Sequence, residues 1–395
     1  MYDFMLTDDE RRLRGEVREF FGTALAPRAL ASELDAVWAP LREAVTLTGE
    51  AGYLAFLMPE LHGGGRGDAG LVRATIVSQE AAAVSYAFES TIATSLSCAL
   101  PIRRHAPPAV RERWLGRLVT GRAVGAICIT EPEVGSDSAG MRTRIRRDAG
   151  GGFLIDGSKR YISNAGVADV YVVYGVTDPS MPAQQGMTAV VVPAGTAGMS
   201  FPSRYTLLGR RGCVVGEVAL DEVQVPADHV LGEVDAGFRI MLGMFNLERI
   251  LVGGAALGVA RSAFDIAREH ASSRMSFGQP LGCKQLIWDK VAEMSWRIEA
   301  AELLTYRAAR MYDTGQHGKQ LMKEAAMAKL VASETAVTCA DTAVQILGGD
   351  GLRTQHSRAE QLYRDARALP IVGGTSEMAR YVIASRDLPG LKLNL

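Results

Sequence analysis

The chain has 395 residues, 48% of them hydrophobic and 22% charged, a composition that fits a folded protein too long for one small core. Its 43 Lys+Arg nearly cancel its 44 Asp+Glu, leaving a net charge of −1, which speaks against a general nucleic-acid binder.

The opening "MYDFMLTDDERRLRGEVREFF" reads as an amphipathic helix capped by Thr7 or Asp8, without the basic-then-apolar pattern of a leader. Residues 1–120 carry Ala, Leu, Glu and Arg at helical spacing, as in "RERWLGRLVTGRA", and predict an N-terminal helical domain. A glycine-rich loop, "PELHGGGRGDAG", interrupts it at 59–70. Over 121–235 the runs shorten and fill with Val, Ile and Tyr, among them "AVGAICIT", "DVYVVYGV" and "MTAVVVPA", bounded by Gly, Pro, Asp and Asn. Such runs predict a central antiparallel β domain rather than alternating β-α-β units. Over 236–395 helical patterns return at about 236–270, 280–312, 319–347 and 374–388, lengths that pack as a bundle. No run approaches the roughly 20 apolar residues of a membrane span. Five scattered cysteines without CxxC spacing support neither a disulfide framework nor a zinc site, and a reducing cytoplasm is the expected compartment.

Three segments carry candidate chemistry. In "ICITEPEVGSD" (127–137) a strand ends at Thr130 and enters a Pro-Gly loop bearing Glu131, Ser136 and Asp137. Hydroxyls and free amides there suit a phosphate or the polar edge of a planar cofactor, although an ordinary strand-to-loop connection has the same look. In "KRYISNAG" (159–166) Tyr161 precedes Ser163 by two, so on a strand both leave the same face. That pairs a ring to cover a flat ligand with a hydroxyl to bond its edge; a core tyrosine is the alternative. In "IVGGTSEMAR" (371–380) Gly373 and Gly374 make a turn, Thr375 or Ser376 caps the next helix, and Glu377 suits its positive end.

Together, "TEPEVGSD", "GSKRYISNAGVADVYVV", "VPADHVLGE", "RMSFGQPL", "QILGGDGL", "YRDAR" and "GTSEMAR" occur in the order and spacing of the acyl-CoA dehydrogenase family. The chain resembles that family from "LTDDERRLRGEVREFF" to its last helix. The resemblance implies an N-terminal α-helical domain, a central antiparallel β-barrel-like domain and a C-terminal four-helix bundle. It also implies FAD as cofactor, a homotetramer, and a new Cα–Cβ double bond in an acyl thioester, with electrons passed to an electron-transfer flavoprotein or similar acceptor. By the same resemblance Ile127, Ile129, Thr130 and Ser163 lie at the flavin ring and Tyr161 beside it. Ser136 falls near the cofactor pyrophosphate or the thioester's pantetheine. Arg274 and Phe277 resemble the pair that reaches FAD of a neighbouring subunit, where a guanidinium fork clamps phosphate. Gln285, Gln345, Gly348 and Gly349 resemble that neighbour's adenosine-side contacts, and Thr375 completes the cofactor site. Phe245, Arg249, Gly373 and Gly374 join Ser136 as substrate contacts.

Desaturation needs a carboxylate base in an apolar pocket and hydrogen bonds to the developing enolate oxygen. In the commonest family pattern the glutamate directly precedes Gly-Thr, a position held here by Gly373. A subset that includes isovaleryl-CoA and long-chain dehydrogenases carries the base on the first C-terminal helix instead, with a small residue at the usual place. Glu248 of "MFNLERILVGGAALG" (244–258) matches it. Arg249 is a poor partner, since adjacent residues do not face each other on a helix; a carboxylate paired one turn away is the structural alternative. Two departures leave the carrier open. Asn246 stands where many of the subset have an acid, and "LGRRGCVVGEVAL" has Cys213 and Val215 where Ser and Thr are usual. The expected substrate is therefore an acyl-CoA, with a short or branched acyl group preferred, and the alternative is a carrier-protein-bound acyl or aminoacyl thioester of specialised metabolism. A flavin monooxygenase on the same fold is a third reading that leaves Glu248 without a task.

Overall fold

Thr7 sets the first helix. Its hydroxyl accepts from the Glu10 amide while the Glu10 carboxylate accepts from the Thr7 amide, a capping box that starts α1 (Asp8–Phe20). A π-helical turn, Phe21–Leu25, leads into α2 (Ala26–Asp35), followed by α3 (Ala39–Glu50), α4 (Leu71–Val84), α5 (Tyr86–His105) and α6 (Pro108–Val119). The computed structural model describes residues 5–58, 70–354 and 357–391, so the glycine-rich loop expected at 59–70 lies, apart from Gly70, outside the described residues. The first amides of α4, Leu71 and Val72, donate to the Asp313 carboxylate at 2.6 and 2.9 Å, which ties the N-terminal helices to the C-terminal ones.

The middle of the chain forms one seven-stranded curled sheet of β1 (Gly125–Cys128), β2 (Arg144–Arg147), β3 (Phe153–Ser163), β4 (Val170–Val176), β5 (Met187–Pro193), β6 (Met199–Ser200) and β7 (Val215–Val225), with a helical turn α7 (Ala183–Gly186) before β5. Most pairings are antiparallel. β1 and β2 are the exceptions: both run parallel to β4 and share one of its edges end to end, while β5 takes the other. β4 reads "VYVVYGV" because both of its faces are covered, so alternation is lost and the run is apolar throughout.

Beyond it lie α8 (Gly237–Ser273), a two-residue-per-strand hairpin β8 (Met275–Ser276) and β9 (Gln279–Pro280), α9 (Gln285–Asp313), α10 (Lys319–Leu347), α11 (Ala359–Ala366) and α12 (Ser376–Asp387). α8 is the hub, packing on α9, α10, α4 and α5. Its glycines let α4 approach: a Cβ on Gly258 would stand 2.1 Å from the Gln79 carbonyl oxygen, and one on Gly254 2.9 Å from that of Thr75. Among the described residues α8 alone is long and apolar enough to cross a membrane by length and composition, although charged and polar residues break its apolar run. Of that apolar window 72% is buried inside the protein, which is the burial expected of a bundle's central helix.

Candidate active site

Glu248 projects from the first third of α8 toward the turn that precedes α12. Gly373 and Gly374 hold φ of +65° and +95° there, left-handed values that glycine adopts without strain. A Cβ on Gly373 would stand 3.4 Å from Val252 Cγ2 and 3.9 Å from both Cγ and Cδ of Glu248. The direction that a side chain at 373 would take is therefore occupied by the arm of Glu248. Lys329, fully buried on α10, donates from Nζ to the Gly374 carbonyl at 2.6 Å and fixes the turn to the bundle. Thr375 caps α12, accepting from the Met378 amide at 3.3 Å. The amides of Gly373 and Gly374 have no acceptor among the described residues, so two donors stand free beside the carboxyl.

Glu248 is half-buried, and it makes no hydrogen bond or ion pair among the described residues, Arg249 included. Met244, Leu247 and Val252 around it are buried. Burial lifts its carboxyl above the usual carboxylate range, opposed by the positive charges of Arg249 and Lys329. Burial also lowers Lys329 to about 8, with Arg249 pushing the same way and Glu248 pulling back. Arg249 stacks over the Phe245 ring at 5.9 Å, and its Nη2 lies 3.8 Å from where a Cβ on Gly374 would be. Phe245, Glu248, Arg249, Gly373 and Gly374 are thus one cluster. A carboxylate that no donor claims, in apolar surroundings, is suited to accept a proton from carbon.

The second group comes from the sheet. Ile127 and Ile129 are half-buried and alternate with buried Ala126 and Cys128, so they share a face, and Thr130, also half-buried, follows beyond the end of β1. The Thr130 hydroxyl makes no hydrogen bond among the described residues. Glu131, expected as a polar loop residue, is a buried anchor instead. It accepts from Lys159 Nζ at 2.8 Å, from the Arg142 and Thr143 amides at 2.7 and 2.9 Å, and from the Thr143 hydroxyl at 2.5 Å. Burial alone would raise its carboxyl, but the Lys159 charge and these donors hold it below the usual range. This pair stiffens the loop between Thr130 and the exposed Ser136.

The strand is irregular just before Tyr161 and Ser163. The β3–β7 register slips between Lys159 and Ile162, and Tyr161 sits in that bulge with φ +56°. Its ring is 56% exposed, packed against Tyr205 with centroids 5.0 Å apart and under the Arg160 guanidinium at 5.1 Å. Buried Ile162 still separates the exposed Tyr161 from the half-buried Ser163, and the Tyr161 ring is open outward. Ser163 Oγ accepts from Arg210 Nη2 at 2.9 Å, which leaves its own proton to donate. The unengaged Thr130 hydroxyl and the remaining Ser163 proton, with an open aromatic ring and two isoleucines, fit the polar edge and flat faces of a planar ring.

Arg274, Phe277, Gln285, Gln345, Gly348 and Gly349 are all exposed and do not join Glu248. Arg274 caps the far end of α8, ~26 residues beyond Glu248, or roughly 39 Å at helical rise. Phe277 is 95% exposed in the β8–β9 turn. Within one chain these residues form a separate surface at the end of the bundle. Sequence reasoning missed Lys329, whose only signal is a cation amid the small residues of "EAAMAKLVASE", and Arg210, which nothing local marks.

Comparison with known proteins agrees with this layout. Sequence models of the acyl-CoA dehydrogenase N-terminal, middle and C-terminal domains match residues 7–122, 126–223 and 235–388. The chain is 34% identical over 394 residues to glutaryl-CoA dehydrogenase of Desulfococcus multivorans, covering 99% of this chain and 100% of that protein. It superposes on butyryl-CoA dehydrogenase from Megasphaera elsdenii with a TM-score of 0.91 at 32% identity, over 97% of this chain and 99% of that one. A glutaryl-CoA dehydrogenase from Mycobacterium smegmatis in complex with FADH2 gives a TM-score of 0.91 at 28% identity, over 100% and 98%. All three domains match in order and nearly without gap, and the chain belongs to the acyl-CoA dehydrogenase family.

Proposed function

We propose that this protein is an FAD-dependent acyl-thioester dehydrogenase in which Glu248 removes the α-proton. One observation carries the assignment of the base: the carboxyl arm of Glu248 fills the direction that a side chain at Gly373 would take, 3.9 Å from that Cβ. No hydrogen bond engages this carboxyl, and burial lifts its proton affinity toward the working range of a general base. The free amides of Gly373 and Gly374 are placed to bond the thioester oxygen as it gains charge. Lys329 holds that turn, and Arg249, packed on Phe245, limits the space beside it.

FAD, when bound, supplies the acceptor for the β-hydride and relays the electrons onward. Ile127, Ile129, Thr130, Tyr161 and Ser163 would hold its ring system, Ser136 would lie near its pyrophosphate or the pantetheine, and Thr375 would close the site. Arg274, Phe277, Gln285, Gln345, Gly348 and Gly349 would reach the cofactor of a neighbouring copy. The distance along α8 supports that division, as does the exposure of Phe277, Leu286, Trp288 and Leu352 near the same end of the bundle. A homotetramer, an acyl-CoA with a short acyl group and an electron-transfer flavoprotein as acceptor complete the reading; relatives named for glutaryl-CoA and butyryl-CoA support the short chain.

The test is Glu248→Gln. The variant should keep FAD and lose at least ~100-fold in the rate of anaerobic flavin bleaching by substrate, the lower range of what a general base supplies. Unchanged bleaching would refute the assignment.

A further inference from the structure

Arg210 lies in the loop between β6 and β7, only 6% exposed, with φ +60°. Asp365 of α11 accepts its backbone amide at 2.5 Å, and its guanidinium lies over the buried Tyr86 ring at 5.7 Å. Nη2 donates to the Ser90 hydroxyl of α5, to Ser163 Oγ at the end of β3 at 2.9 Å, and to Cys213 Sγ at 3.5 Å. Nε is buried without an acceptor. The side-chain partners of this guanidinium are thus two hydroxyls and a sulfur, and among the described residues no carboxylate pairs with it. Arginine cannot shed its proton, and a buried charge without a counter-charge is costly.

Two buried acids stand nearby, and neither matches that charge. Asp365 gives one carboxyl oxygen to the Arg210 amide and also lies within the field of Arg364 and Arg358. Glu89 accepts from the Ser78 hydroxyl at 2.6 Å, and burial raises its carboxyl to about 8 against that bond and the Arg210 charge. At neutral pH most of Glu89 therefore carries its proton. The hydrogen bonds of Arg210 lead to a third place. Ser163 Oγ accepts from Arg210, and the Ser163 proton has no acceptor among the described residues. A hydroxyl that accepts from a cation is polarised into a stronger donor for whatever its own proton meets.

We propose that Arg210 is a positioning residue for the cofactor: through Ser163 it sets a fixed positive charge one hydroxyl away from the flavin ring, which favours the reduced ring over the oxidised one. This rests on the reading that Ser163 meets the flavin. Two-electron reduction adds negative charge to the ring, and a cation fixed beforehand in a buried loop stabilises that form without reorganising. A unit charge ~6 Å away, at an effective dielectric of about 20, shifts the balance between the two forms by roughly 100-fold. The buried, unpaired guanidinium behind Ser163 thereby strengthens the acceptor for the β-hydride, while Glu248 handles the proton.

The experiment measures midpoint potentials of FAD-loaded wild type, Arg210→Gln, Arg210→Lys and Ser163→Ala by anaerobic titration against reference dyes, with no thioester present. Arg210→Gln keeps a hydrogen-bond donor and drops the charge. Its midpoint should fall by roughly 60 mV, the 100-fold shift at about 30 mV per tenfold for a two-electron couple. Its affinity for oxidised FAD should stay within a few-fold of wild type. Arg210→Lys keeps the charge and should recover at least half of the fall. Ser163→Ala should change the visible spectrum of the bound flavin and lower the midpoint by less than Arg210→Gln. An unmoved midpoint in Arg210→Gln, with a changed spectrum in Ser163→Ala, overturns the inference and leaves Ser163 at the flavin. An unchanged spectrum in Ser163→Ala overturns the placement of Ser163 and the inference with it. An Arg210→Gln protein that folds but loses oxidised FAD makes Arg210 a plain binding residue, and the inference falls. Should Arg210→Gln not fold, Ser163→Ala decides, since a changed spectrum with an unmoved midpoint overturns the inference there too.

Discussion

Replacing Glu248 by alanine while placing a glutamate at 373 would move the carboxylate from α8 to the turn without changing what it faces. The built Cβ of residue 373 stands 3.9 Å from Glu248 Cδ, and two further bonds carry a glutamate's carboxyl carbon ~2.5 Å along that line. The nearest obstacle is Val252 Cγ2 at 3.4 Å from the Cβ, an ordinary contact. The left-handed φ of +65° costs a non-glycine residue about 1–2 kcal/mol. Glu248→Ala alone should slow flavin bleaching by ~10²–10⁴, the range of one general base. The double variant, Glu248→Ala with Gly373→Glu, should recover at least ~10-fold of that, since a carboxylate again stands in the apolar cluster. Gly373→Glu alone crowds two carboxyls, pushes one pKa up and slows the reaction. Stopped-flow bleaching under anaerobic conditions, with FAD content read from the visible spectrum, separates these outcomes. A double variant fully loaded with FAD yet no faster than Glu248→Ala would refute the geometric equivalence of the two positions.

Further outcomes follow from the same geometry. Bleaching should have an acid limb above the usual carboxylate range, because the ionised form of Glu248 does the work and burial raises its pKa. Lys329→Met removes a charge that lowers that pKa, so a pH–rate profile should show the limb moved to higher pH; an unmoved or lowered limb would contradict this. Lys159→Met leaves Glu131 buried without its cation and should cost about 3–5 kcal/mol, seen as a lower thermal midpoint. Because the Glu131 carboxyl is held below its unfolded value, its contribution is present above the usual carboxylate range and is lost as pH falls through the depressed one; acid unfolding of wild type and variant should converge there. Arg274→Ala should loosen FAD by roughly 10-fold with the assembly intact, measured by cofactor release on dilution, as expected for one charge-assisted contact.

What was legible followed from local chemistry. Thr7 with Glu10, and Thr375 before α12, are caps whose partners lie three residues away, so short strings suffice to find them. The α-β-α plan follows from long helical periods flanking short β-branched runs. The pairing of Gly373 with Glu248 was found only through the family resemblance, since the two are far apart in sequence and meet through packing of α8 against the turn. Other features resisted reading. Tyr161 adopts a left-handed conformation at a bulge with no glycine to announce it, so the slip in register is invisible to strand alternation. Glu131 looked like a loop residue because its partner Lys159 belongs to another strand. Lys329 and Arg210 are charges whose burial depends on helices and loops from distant parts of the chain, and no periodicity encodes that.

The most direct test of Glu248 as the base isolates proton removal from every later step. An acetyl thioester has α-hydrogens and no β-carbon to yield a hydride, so the oxidised FAD-loaded protein can only exchange its methyl protons with solvent. In D2O the wild type should deuterate acetyl-CoA or acetyl-pantetheine, followed by mass spectrometry, and Glu248→Gln should do so at least ~100-fold more slowly. Equal exchange by the two proteins would contradict the account.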